Sequence, residues 1–126
     1  MNGIRIVCDT NPLIYLLDGD GVMGAFLNNK QIYVSVISEL ELFGKQRLTS
    51  PENMLIDSLL KSCFVTEINR EIIGIYKILR QKYLIKLPDA IIAATAIYLD
   101  MPLLTSDKIF KNITELKLIY WNNTKS

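Results

Sequence analysis

The 126-residue sequence contains no histidine. That absence excludes Ser-His-Asp hydrolysis and nuclease chemistry built on a histidine general base. Cysteine is scarce too: Cys8 and Cys63 are the only two, too few for a structural zinc site. Both sit in apolar runs, and with no recognisable signal peptide the expected location is a reducing cytoplasm. No apolar run reaches membrane length. The longest, from Ala90 to Leu104, is broken by Asp100 and Pro102, so no membrane partner is expected. Charge of either sign is not in excess: 14 Lys and Arg face 13 Asp and Glu, a net +1. No global field therefore draws the chain to nucleic acid, and any such binding must use a local patch. If the protein is an enzyme, its chemistry rests on carboxylates, amines, hydroxyls or a borrowed metal.

What the sequence does have is apolar residues, at 50% of the chain. That is high for a soluble protein and favours a buried sheet, an apolar partner surface, or both. The length suits one domain over 1–126, with 122–126 as a frayed polar tail. Short strands are expected at Ile4 to Cys8, Ile32 to Ser35, Phe64 to Glu67, Leu103 to Thr105 and Leu118 to Tyr120. Helices are expected from Asn11, as cap, with Pro12 at the first position, to Leu17; from Val22 to Asn28; and from Val36 to Gly44. Three more run from Ser50-Pro51 to Lys61, from an Asn69 cap to Tyr83, and from Pro88 to Asp100. "DGDG" at 18–21 reads as a turn. Apolar strands alternating with helices imply an α/β fold, a parallel sheet covered on both faces. In such sheets the crevice at the carboxyl ends of the strands is the usual site.

Acids gather at that edge. Asp9 ends the first strand, in "IRIVCDTNPLIYLL". Asp107 follows the fourth, in "LLTSDKIF". Asp89 opens the helix that feeds the fourth strand, so it starts at the same edge. Glu41 lies on the helix leaving the second strand, roughly 8 Å from the edge. Each has a plainer reading: turn acid, helix-dipole acid, turn cap or exposed helix residue. Glu39 competes with Glu41, because the two lie about 160° apart on the helix and periodicity does not choose between them. Crowded carboxylates repel one another, and a divalent cation removes the conflict. Oxygen ligands of this kind suit Mg²⁺ or Mn²⁺, which can activate water for phosphodiester hydrolysis.

The segments "CDTNPLIYLL", "VSVISELELFG", "LPDAIIAATA" and "LLTSDKIF" resemble, in order and at ordinary spacing, the four motif blocks of the PIN domain family. Within that family the chain is most similar to the VapC-type toxins of bacterial and archaeal toxin–antitoxin pairs. The resemblance implies a Mg²⁺- or Mn²⁺-dependent endoribonuclease with a parallel sheet of order 3-2-1-4-5. It implies Asp9, Glu41, Asp89 and Asp107 as the catalytic, metal-holding acids, and it selects Glu41 over Glu39. Thr10, Asn11 and Ser106 fall beside them as a supporting shell. An RNA substrate, a cognate antitoxin and a homodimer are the implied partners. The sequence departs from the family at Ile109, where many members carry a further acid; this puts a second metal in doubt.

Arg70, Lys77 and Arg80 fall within about 80° on one helix, opposite Ile72, Tyr76, Leu79 and Tyr83. They could contact RNA phosphates, although a solvated helix face is the more frequent meaning of such a stripe. Cys8, Cys63 and Trp121 read as packing residues. A rival reading is a PIN-like binding or regulatory module without cleavage. A phosphatase or receiver domain on a similar sheet is disfavoured, because Asn11 and Glu67 stand where those would need an aspartate.

Overall fold

A computed structural model describes residues 3–122. The chain runs β1 (Arg5–Cys8), α1 (Thr10–Leu17), α2 (Gly21–Leu27), β2 (Gln31–Ser35), α3 (Val36–Leu42), α4 (Ser50–Lys61) and β3 (Phe64–Thr66). It continues through α5 (Arg70–Lys82), α6 (Leu87–Leu99), β4 (Leu103–Thr105), a 3-10 turn (Lys108–Asn112) and β5 (Leu118–Tyr120). The five strands form one parallel sheet of order β3-β2-β1-β4-β5. Both the α/β class and the strand order agree with expectation. Residues 123–126 of the expected frayed tail lie outside the described residues.

β1 is central and buried on both faces, with its side chains alternating between two cores. Val7 points to a core with Ile72, Leu79, Ala93, Leu103 and Phe110, under α5 and α6. Ile6 and Cys8 point to the other, with Leu13, Met23, Leu27, Ile56 and Leu104, under α1, α2 and α4. α6 is buried nearly all round: Ala90 and the run from Ile92 to Ala96 are sealed from solvent. That is how a helix with no polar face must sit. Cys8, Cys63 and Trp121 are packing residues as expected, Trp121 against Phe26 at 5.2 Å between ring centroids. Among the described residues no helix is long and apolar enough to cross a membrane.

Local chemistry accounts for the boundaries. Asn69 caps α5 by accepting from Ile72 N–H at 2.8 Å. Thr49 and Glu52 cap α4 reciprocally, so the helix begins at Ser50, as the Ser50-Pro51 signal predicts. In "DGDG", Gly19 takes a left-handed φ of 82°, open to glycine at no steric cost. Asp20 then caps α2 through Val22 and Met23 N–H. Two corrections bear on the site. Asp9, not Asn11, caps α1: its Oδ1 accepts from Thr10 N–H at 2.8 Å, and Asn11 is exposed within the first turn. The 3-10 turn after β4 carried no apolar period and was not expected; Asp107 caps it by accepting from Ile109 N–H at 3.0 Å.

Candidate active site

The strand order makes β1 a switch point. From β1 the chain passes to β2 and β3 on one side, and later returns to β4 and β5 on the other. The loops leaving β1 and β4 therefore diverge, opening a crevice at their carboxyl ends. Asp9 stands at its floor, 6% exposed, its N–H bonded to Leu104 O at 2.9 Å across the β1–β4 seam. One carboxylate oxygen takes the Thr10 N–H and the other takes the Thr105 hydroxyl at 2.7 Å. Thr105 Oγ1 in turn accepts the Asp107 N–H at 3.0 Å. A single buried hydroxyl thus ties the first acid to the backbone of the fourth.

Glu41 reaches the group from α3. Its Oε1 accepts from Thr10 Oγ1 at 2.5 Å, and Ser38 Oγ lies 3.0 Å from the same hydroxyl. The Glu41 side chain is otherwise open to solvent. Asp89 sits at the start of α6 and lines, with Asp107, a cleft of about 550 Å³. The acids feel one another. Asp89 is pushed from 3.8 up to about 6, first by burial, then by Asp9, Asp107 and Glu41, with Lys86 opposing. Burial also raises Asp9; its hydrogen bonds from Thr105 and Thr10 oppose this, and the charges of Glu41 and Asp107 add to it. The structure brings Asp9, Glu41, Asp89 and Asp107 into one electrostatic unit.

The shell residues divide. Thr10 is in place. Ser106 instead meets the Tyr15 hydroxyl at 3.1 Å, and Asn11 faces solvent. Thr105 and Ser38 were not foreseen, although both lie inside the quoted acidic motifs. Of the three cations in the α5 stripe, Arg80 alone lines the cleft with Asp89 and Asp107; Arg70 and Lys77 do not. Lys86, which does line it, was missed because it belongs to no stripe.

The donors are hard carboxylate oxygens around a buried floor, which fits Mg²⁺ or Mn²⁺ in kind. Among the described residues no three acidic side chains stand close enough to make a finished coordination sphere.

A pH dependence follows from Asp89. Without metal the native protein keeps this proton up to about pH 6, while the unfolded chain releases it near 3.8. Between these values the native state binds more protons than the unfolded state, so stability falls as pH rises across that window. Asp9 adds the same sign. Glu52 and Glu115, held down to about 2 first by hydrogen bonds from Lys45 and Lys82, act only below their ordinary 4.5. Asp89 is half-buried, so screening keeps the effect to a few degrees. In EDTA the melting temperature should be higher at pH 5 than at pH 7, and the difference should shrink in Asp89→Asn. A rise from pH 5 to pH 7 would contradict this.

No curated protein sequence matches the chain. Solved structures do match closely in shape. VapBC2 from Rickettsia felis, bound to a DNA fragment from its promoter, superposes with a TM-score of 0.84 at 23% identity, over 94% of this chain and 100% of that one. A toxin–antitoxin complex from Klebsiella pneumoniae gives 0.78 at 29% identity, over 90% and 95%. VapBC-1 from nontypeable Haemophilus influenzae gives 0.75 at 28% identity, over 94% and 98%. The family model for "PIN domain" matches residues 6–116, which take in all four acids of the crevice. On that match, and on the 3-2-1-4-5 parallel sheet beneath it, the chain belongs to the PIN domain family.

Proposed function

We propose that the protein is a divalent-metal-dependent endoribonuclease, the toxin of a toxin–antitoxin pair. The observation that supports this most is the electrostatic unit of Asp9, Glu41, Asp89 and Asp107 at the sheet's switch point. Asp9, Asp89 and Asp107 would hold a Mg²⁺ or Mn²⁺, with Glu41 completing the set. When bound, the ion supplies Lewis acidity, lowering the pKa of water and offsetting charge on the phosphate. The chain's own residues do the rest. Asp9, fixed at both oxygens, presents a rigid anion at the floor. Thr105 fixes the loop that carries Asp107. Thr10 orients Glu41, whose exposed carboxylate is placed to take a proton from an incoming water.

The toxin reading draws on the Klebsiella structure, which is a toxin–antitoxin complex by name. An apolar groove of about 320 Å³ supports it, lined by Ile14, Leu17, Leu42, Leu48 and Leu55 and reaching Glu41. A cognate antitoxin would lie there, against Glu41. A second copy of the chain is the other proposed partner, and light scattering of the free protein decides it. The cytoplasm is the proposed location.

The test is cleavage of total cellular RNA. Glu41→Gln should lower the rate by roughly tenfold or more, as expected for a positioned proton acceptor. Glu39→Gln should leave it near wild type. Equal loss in both, or loss in Glu39→Gln alone, would overturn the choice of glutamate. Wild-type protein that leaves RNA intact and cleaves DNA would overturn the substrate.

A further inference from the structure

Tyr15 carries a group that its packing does not use. Its ring lies against the core under α1, α2 and α4, where a phenylalanine ring would serve as well. The hydroxyl goes elsewhere. It stands 3.1 Å from Ser106 Oγ, joining α1 to the loop that leaves β4. Helix geometry explains the reach. Tyr15 lies beyond Thr10 by about 7.5 Å along α1, away from the carboxyl edge. Side chains on a helix lean back towards its N-terminus, so the phenol returns to the edge that its backbone has left.

Ser106 is where the chain leaves the sheet: Thr105 ends β4 and Asp107 follows. Two bonds within this loop, from Asp107 N–H to Thr105 Oγ1 and from Ile109 N–H to Asp107 Oδ1, shape it without fixing it to the rest of the molecule. The side chains on either side of that turn do the fixing. The Thr105 hydroxyl holds Asp9, and Ser106 meets Tyr15. Both lead back to α1, since Asp9 is the cap of that helix. α1 thus braces together the acid at the end of β1 and the acid after β4. The brace works against a repulsion. The negative charge of Asp107 acts on Asp9, and like charges push the loop away from the floor of the crevice.

We infer that Tyr15 is a positioning residue of the metal site: through Ser106 its hydroxyl fixes the loop of Asp107, so that this carboxylate and Asp9 are presented together to a divalent ion. The inference rests on the four acids being a metal site, and not on the identity of the substrate. Tyr83 offers the contrast. Its hydroxyl also ties two segments, donating to Glu115 at 2.6 Å and accepting from Thr114 N–H at 3.3 Å, but no acid of the crevice belongs to that group.

The test is binding of Mn²⁺ alone, followed by the electron paramagnetic resonance signal of the free ion as protein is titrated in. Tyr15→Phe keeps the ring and loses the hydroxyl. It should bind Mn²⁺ about tenfold more weakly than wild type, the lower end of the range for partners of metal ligands. Ser106→Ala should lose as much. The double variant should lose no more than either single one, because the two side chains act through one contact. Ser106→Thr, which keeps a hydroxyl, should stay near wild type. Tyr83→Phe should lower the melting temperature and leave Mn²⁺ affinity unchanged, which separates loss of stability from loss of position. In saturating Mn²⁺, Tyr15→Phe should recover the wild-type rate of RNA cleavage, since excess ion makes up for weak binding by mass action. A rate that stays low there assigns the phenol to the substrate and overturns the inference. Wild-type Mn²⁺ affinity in both Tyr15→Phe and Ser106→Ala overturns it as well, with the metal site itself left standing. Equal loss of affinity in Tyr83→Phe also overturns it, because stability alone would then account for the effect. Wild-type protein that binds no Mn²⁺ overturns the metal site and the inference with it.

Discussion

Asp9→Asn is expected to lower RNA cleavage by roughly two orders of magnitude or more while the protein stays folded. The substitution keeps the shape of the side chain and removes its charge. The amide oxygen still accepts the Thr10 N–H, and asparagine caps helices as well as aspartate does. The difference lies at the other oxygen, which in the wild type takes the Thr105 hydroxyl proton. An amide nitrogen there can only donate. Thr105 Oγ1 would then accept from both the introduced amide and the Asp107 N–H, and its own proton would lose its acceptor. That costs about 1 kcal/mol. Removing one charge from a repulsive group offsets part of it. Melting should therefore stay within a few degrees of wild type. Asp9→Ala should do worse, because it also forfeits the cap, by about 1 kcal/mol more. A folded Asp9→Asn protein that cleaves at near the wild-type rate would remove Asp9 from the site.

Phe110→Ala should have the largest effect on stability, about 3–5 kcal/mol. Phe110 is wholly buried and belongs to the 3-10 turn that follows Asp107. Its ring joins the core under α5 and α6, with Val7 and Leu103 of the central strands. No neighbouring side chain of the turn can fill that volume: Lys108, Lys111 and Asn112 are exposed. A domain of this size has about 5–15 kcal/mol to lose. The melting temperature should fall by more than about 10 °C. Ile109→Ala, half-buried at the cleft, should cost much less. Equal costs for the two would mean that the turn is not anchored through Phe110.

The fold was legible because it rests on long-range bookkeeping of apolar runs. Five short apolar strands, alternating with helices, leave a two-faced parallel sheet as the arrangement that buries them. Ile6, Val7 and Cys8 illustrate this: no polar residue interrupts them, and all are fully buried. The carboxyl-edge position of Asp9, Asp89 and Asp107 followed from the same topology. The strand order, and Glu41 over Glu39, came from the resemblance to PIN domains rather than from periodicity.

What escaped the sequence was the direction in which short polar side chains turn. Asn11 and Asp9 are both good caps, two residues apart, and only the backbone shows that Asp9 takes the role. Thr105 ends an apolar strand and reads there as a β-branched filler; its hydroxyl bridge to Asp9 exists only once β1 and β4 are neighbours. The stripe on α5 misled for a related reason. Arg70, Lys77 and Arg80 share a helix face, but a helix face is long and the cleft meets only its end. Lys86, alone before Leu87-Pro88, has no partner in the pattern and depends on the α5–α6 turn for its place beside Asp89.

The proposal that the carboxylate group acts through a divalent ion is tested most directly by cleavage of RNA with and without that ion. Wild-type protein is incubated with total cellular RNA in Mg²⁺, in Mn²⁺, in EDTA, and in EDTA followed by excess Mg²⁺, with Asp9→Asn alongside. Cleavage in Mg²⁺ or Mn²⁺, none in EDTA, restoration on re-addition and little in Asp9→Asn is the expected pattern. Wild-type cleavage that persists undiminished in EDTA would contradict it, since no histidine is present to take over the chemistry.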